Sequence, residues 1–172
     1  RRDKDLPPKK HFKVRYPSLF PRPTDHGENT QVLLDVLFES APDQLASPAV
    51  IRTPFIEIER EVRVTMPGID GLLGDKLTAF APTTIGILYD PLRSADIVKQ
   101  LFDVGVLFDV ATDLSVVSTA YEAAHGNQCK YRQQEYSLDR TLDDTIEACL
   151  ALTKHKSKGV EDSTAGLFFQ DG

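Results

Sequence analysis

The chain has little of what marks a disulfide-stapled, metal-binding or membrane-spanning protein. It holds two cysteines, Cys129 and Cys149, with no Cys-x-x-Cys spacing. That excludes a disulfide framework and a thiolate zinc site, and fits small buried residues or free thiols in a reducing, cytoplasmic compartment. The four histidines, His11, His26, His125 and His155, keep no metal-ligand spacing. No run is apolar enough to span a bilayer, and no stretch reads as a signal peptide. Internal repeats are absent. A net charge of -6 over 172 residues argues against nucleic-acid binding through overall charge.

What is present is enough for a core. Hydrophobic residues make up 41% of the chain, which suits one compact domain or a sheet layer with a helical layer. The charges are unevenly placed. Arg1, Arg2, Lys4, Lys9, Lys10, Lys13, Arg15 and Arg22 crowd the N-terminal end, while Asp139, Asp143, Asp144, Glu147, Glu161 and Asp162 lie in the C-terminal half. The basic cluster reads either as a solvated leader or as a surface for phosphates.

Strands come first and helices after, an α+β order. His11 to Tyr16 alternates as a strand. Gln31 to Glu39 is the clearest one, apolar on both faces apart from Asp35, which predicts a strand internal to a covered sheet. Phe55 to Thr65 has period two, with Glu57, Glu59 and Glu61 on its wet side. Helical spacing over Ile69 to Ala81 is stopped by Pro82. Ser94 is a plausible N-cap for a helix to about Val110 that buries Ile97, Leu101, Val104 and Phe108. A further helix starts at Thr112 and ends near Gly126, with Asn127 to Glu135 as its extension or a loop. Thr141 and Asp144 form a capping-box-like start for the last helix, which Lys154, His155 and Lys156 close and Gly159 stops.

Three charged placements on apolar elements stand out, because a buried charge is costly unless paired. Asp35 lies in TQVLLDVLFE, Lys76 lies in LLGDKLTAF, and Lys99 with Asp103 frames KQLFDV at i and i+4. On pattern alone Asp35 is a metal-binding carboxylate, a buried acid paired with an arginine or lysine, or an acid exposed at a sheet margin. Lys76 is either a phosphate-binding point charge or a solvated helix lysine. Lys99 and Asp103 are either site residues or an intrahelical ion pair.

The order of these pieces resembles the AbiEii/AbiGii-type toxin family of the nucleotidyltransferase superfamily. In that family a strand acid is followed by a helix of the form (E/D)KLxAL and a second of the form (R/K)DxxDL. Here Asp35, then Asp75-Lys76-Leu77-Thr78-Ala79-Phe80, then Lys99-Gln100-Leu101-Phe102-Asp103-Val104 fall in that order. The match covers roughly residues 30 to 110. Gln100 stands where the family has its first acid; Asp96, one turn earlier, is the nearest substitute. The superfamily's Gly-Ser turn followed by two acids one residue apart does not occur. The resemblance therefore implies a C-terminal portion of a longer protein, inactive alone.

The resemblance also implies a partial nucleotidyltransferase-like mixed β-sheet over residues 1–67, followed by a helical region over 68–172. It implies Mg²⁺ held at Asp35, nucleoside triphosphate (NTP) phosphates met by Lys76 with Lys99 nearby, and Asp103 orienting Lys76 or the attacking group. The implied reaction transfers a nucleotide from an NTP to tRNA or a protein, with release of pyrophosphate, in a bacterial toxin–antitoxin or phage-defence system with a cognate antitoxin. The alternative from a different class is a non-catalytic interaction or scaffold module on the same fold.

Overall fold

The computed structural model describes residues 9–16, 30–38, 46–54 and 57–153. The α+β expectation holds. Strands β1 (Lys9–Tyr16), β2 (Thr30–Leu37), β3 (Ala46–Val50) and β4 (Arg63–Pro67) precede helices α1 (Ile69–Leu77), α2 (Ser94–Val110), α3 (Leu114–Arg132) and α4 (Leu138–Thr153). The described strands pair only as two separate antiparallel ladders, β1 with β2 and β3 with β4. By contact the chain divides between residues 41 and 42, earlier than the 67/68 boundary expected from sequence. The β3–β4 ladder thus falls with the helices, because β4 runs through Gly68 directly into α1.

The N-terminal unit is a two-sided hairpin. Facing partners in an antiparallel ladder share a face, so Phe12 with Leu34 and Val14 with Val32 make one face apolar. Lys9, His11, Lys13 and Arg15 stand on the other, opposite Leu37, Asp35, Leu33 and Gln31. The expectation that β2 is internal to a covered sheet does not hold for the described residues. Leu33 is 64% exposed and Leu34 53%, because among the described residues β2 has a single neighbouring strand and that strand covers neither face. A hairpin alone buries too little to cover its own side chains.

In the second unit, Glu57 to Val62 is not strand; the ladder ends at Arg63, and Glu57, Glu59 and Glu61 are exposed. Helix α1 follows its sequence expectation closely. It gives way to a 3₁₀ turn over Thr78–Phe80 just before Pro82. Its buried side is Gly71, Leu73 and Gly74, packed on α3, whose buried side is Val117, Ala120, Tyr121 and Ala124. Small residues on both helices let the backbones approach.

Helix α2 ends at Val110 as expected, but Arg93 rather than Ser94 stands at its N-cap position and its inward face is shifted. Ile97 is 4% exposed and packs with Phe80, and Val104 packs beside them, whereas Leu101 is 45% and Phe108 61% exposed. The inward row is Ile97, Gln100, Val104 and Leu107, which admits a polar residue that an apolar-only pattern passes over. Asp113, not Thr112, caps α3 through bonds from the Ser115 and Val116 amides. Thr112 instead donates its amide, at 2.8 Å, and its hydroxyl to Asp70. Helix α3 also runs past Gly126 to Arg132, where Gln133 takes the left-handed conformation.

The last helix starts one turn before its expected cap. Ser137 Oγ accepts from the Arg140 amide at 3.2 Å, so Thr141 and Asp144 are interior positions, 0% and 1% exposed. Lys154, His155, Lys156 and Gly159 lie outside the described residues. No described helix is long and apolar enough to cross a membrane.

Candidate functional site

A cleft of about 390 Å³ opens where α1, the segment after it, α2 and α3 meet. That volume lies within the range of small-molecule sites. Leu72, Asp75, Lys76, Thr78 and Ala79 line it from α1 and the 3₁₀ turn. Ile85 to Ile87 and Arg93 come from the following loop, Gln100 from α2, and Gln128 and Arg132 from α3. Three cations face one acid.

Lys76 is the centre of the sequence-predicted constellation. Its ammonium donates to Asp103 Oδ2 at 2.9 Å and to Gln100 Oε1 at 3.1 Å. Both partners are on α2, so the helices that carry Lys76 and Asp103 meet at this bond. Gln100, the departure from the family pattern, takes a defined place as a neutral acceptor beside the acid. Lys76 and Asp103 side chains are 24% and 30% exposed, so water screens the pair incompletely. The hydrogen bond from Lys76 holds the Asp103 carboxyl below the usual carboxylate range, against an opposing effect of burial, and the charges of Lys76 and Lys99 add to the lowering.

A pH prediction follows from that depression. A carboxyl with a lowered folded-state pKa contributes stability above its ordinary range, which is lost as pH falls through the depressed value. The Asp103 carboxyl carbon is expected to titrate below ordinary aspartates in a carbon-detected NMR titration, and Lys76→Met to move it back up. An ordinary inflection in the unmodified protein would contradict the pairing.

The other predicted residues are placed differently. Lys99 is exposed and does not line the cleft; the ion pair of Asp103 is with Lys76 across the helices rather than with Lys99 along α2. Asp96, the nearest substitute for the missing acid, pairs with Arg93 at 3.1 Å on the exposed side. Asp35 is on the polar face of the hairpin, 74% exposed, with His11 Nδ1 at 2.6 Å. This is the exposed placement that sequence left open beside the metal-binding one, with a histidine rather than a buried arginine or lysine as its neighbour. Asp35 and Lys76 belong to different compact units. The one-residue spacing of acids does occur at Asp3-Lys4-Asp5, which lies outside the described residues.

Several site residues carried no signal in the sequence. Sequence ends the helix before Pro82 and reads a loop from Thr83, yet Ala81 to Gly86 is buried throughout except at Thr83. Buried loop backbone needs partners, and Asp144 and Arg132 supply them. Asp144 Oδ2 accepts from the Thr83 amide at 2.9 Å and from Thr84 Oγ1 at 2.8 Å. Arg132 donates through Nη2 to the carbonyls of Ile85 and Gly86, the latter at 2.6 Å. Gly86 turns the chain back on itself, its amide reaching the Ala81 carbonyl at 2.6 Å; a Cβ there would stand 2.5 Å from the Ala79 carbonyl oxygen. This strapped loop forms one wall of the cleft.

Asp75 is the one acid in the lining. Its residue surface is exposed, but desolvation around the carboxyl pushes its pKa up, with the neighbouring Lys76 charge opposing. Also on α3, His125 Nε2 lies 3.1 Å from Thr141 Oγ1 and 3.6 Å from Cys129 Sγ, joining α3 to α4. Among the described residues, no group of three His, Cys, Asp or Glu is arranged to hold a metal ion. No protein-family model, curated protein or solved structure matches this chain.

Proposed function

We propose that this chain carries the nucleotide-binding part of a nucleotidyltransferase of the AbiEii/AbiGii type, and that the cleft takes the triphosphate of an NTP. The observation that supports this most is the seating of Lys76 at the cleft by Gln100 and Asp103. An ammonium fixed by two acceptors meets phosphate without first losing side-chain freedom, which preorganises the site. Gln100 matters in that arrangement: a second carboxylate in its place would further neutralise the lysine, whereas an amide orients it and leaves more charge for the ligand.

Transfer also requires carboxylates that hold Mg²⁺, which supplies charge neutralisation at the phosphates. The described residues do not fit a complete Mg²⁺ site, since Asp35 is the one acid of the described hairpin and faces His11. No step is therefore assigned to the metal here. Asp35 as one of its ligands, tRNA or protein as the acceptor, and a cognate antitoxin in a toxin–antitoxin or phage-defence pair complete the proposal.

A second function, a non-catalytic interaction module, is favoured by one observation. Helix α2 presents Leu101, Phe102, Val106 and Phe108 at 45%, 71%, 51% and 61% exposure, an apolar surface of the kind that marks protein contacts. The discriminating experiment is transfer of label from α-³²P NTPs to bulk tRNA and to protein. The chain is assayed as it stands and in a polypeptide that supplies a Gly-Ser turn and paired acids ahead of it. The enzyme proposal expects transfer in the second format that is lost in Lys76→Ala and in Asp35→Ala. Transfer that survives both substitutions would remove these residues from the mechanism, and no transfer in either format would favour the interaction module.

A further inference from the structure

We infer that Arg132 is a second phosphate anchor of this cleft, so that the site recognises a polyphosphate by its charge without needing a base. The inference rests on the nucleotide-binding proposal for the cleft and extends it to a residue outside the family motif. Arg132 ends α3 and lines the cleft. Among the described residues its hydrogen bonds go to neutral carbonyls, those of Ile85 and Gly86, and its buried Nε has no partner. Among the described residues no carboxylate pairs with it, while Lys76 has Asp103 and Arg93 has Asp96.

A guanidinium cannot shed its proton at neutral pH. Held half-buried without a counter-charge it is costly, and an anion removes that cost. Carbonyl bonds fix the plane of the group in advance, so little freedom is lost when an oxyanion arrives. Lys76, Arg93 and Arg132 then line one cleft from α1, the loop before α2, and α3. Asp75 is the lone opposing charge. Phosphate oxygens spread over two or three groups suit three separated cations, whereas a single carboxylate would use one. Gln100 and Gln128, the neutral polar residues of the lining, provide amides beside that charge without cancelling it.

Arg132 also straps the buried loop, so its removal alone could loosen the fold. Two variants keep the question answerable. Arg132→Lys keeps the charge and loses the fork; Gln128→Glu leaves the strap intact and adds a negative charge to the cleft wall. Calorimetric titration with inorganic triphosphate, and separately with ATP, reads the outcome, with Tm measured for each variant. The unmodified protein is expected to bind inorganic triphosphate. Arg132→Lys is expected to weaken it by about tenfold, the scale of a lost charge-assisted hydrogen bond, and Gln128→Glu by a similar factor at unchanged Tm. An unchanged affinity in Gln128→Glu overturns the anchor.

The two proposals fail separately. If ATP binds and inorganic triphosphate does not, the anchor is wrong and the nucleotide site stands. If Lys76→Met abolishes binding of both ligands while Arg132→Lys and Gln128→Glu leave both unchanged, the anchor is again wrong. If inorganic triphosphate binds with these sensitivities but no NTP binds or is transferred, the anchor stands and the nucleotidyltransferase proposal falls.

Discussion

Gly74→Ala is expected to destabilise the protein by about 3 kcal/mol, the upper part of the range for overpacked cores. The sign is informative, because alanine is favoured over glycine in a helix by up to about 1 kcal/mol. At Gly74 an added Cβ would lie 2.7 Å from Ala120 Cβ and 2.9 Å from the Tyr121 amide nitrogen, and nearer still to the Val117 carbonyl oxygen. Two of these three are backbone atoms inside α3, which cannot swing aside as a side-chain end can. The helices must separate, and that opens the row of Leu73, Val117 and Ala120. Gly105 on α2 is the matched control, with nothing within 4 Å of its added Cβ, so Gly105→Ala is expected to be neutral or stabilising. Urea unfolding of both variants checks the pair. A Gly74→Ala protein as stable as its Gly105→Ala counterpart would contradict the close crossing of α1 and α3.

Asp144→Ala is expected to cost about 3 kcal/mol, since two groups lose their acceptor and an unsatisfied buried donor costs roughly 1–3 kcal/mol. The Thr83 amide and the Thr84 hydroxyl both depend on Asp144 Oδ2. Asp144→Asn retains an acceptor of the same shape and is expected to lose less than half as much. Because the bonded loop forms a cleft wall, amide exchange at Thr83 should accelerate in Asp144→Ala far more than exchange in α3. If exchange at Thr83 is unchanged, the loop is held by something other than Asp144.

Much of the second unit was legible because its signals are local. Pro82 ends α1, and the run from Ser94 to Val110 shows helical spacing with no proline inside it. The meeting of α1 and α2 at Lys76 was legible only through the resemblance, since a lysine on an amphipathic helix otherwise reads as a solvated one. The inward face of α2 was misplaced for a physical reason. Its apolar residues go nearly all the way round, so the pattern did not single out a face, and the true inward row includes Gln100.

The ends of α3 and α4 were obscured by competing cues. Gly126 looks like a stop, but an interior glycine costs only about 1 kcal/mol, and beyond it Arg132 is bonded to the Ile85 and Gly86 carbonyls. Thr141 with Asp144 has capping-box residues, and Ser137 four positions earlier has a better-placed hydroxyl. Arg132, Gln128 and Asp144 could not have been assigned to the cleft and its wall from sequence. They reach one place only because α3 and α4 fold back over the loop, as much as 61 residues from Asp144 to its partner Thr83. The hairpin's exposure was equally hidden, because an apolar strand reads the same whether one strand or two lie beside it.

The most direct test of the central claim is a two-dimensional amide spectrum of the labelled protein titrated with ATP. Shift changes are expected to concentrate at Lys76, Ile85 to Ile87, Gln100, Gln128 and Arg132, and to be lost in a Lys76→Met protein whose own spectrum remains that of the folded chain. No change on titration, or changes confined to the outer face of α2 at Leu101, Phe102 and Phe108, would contradict it.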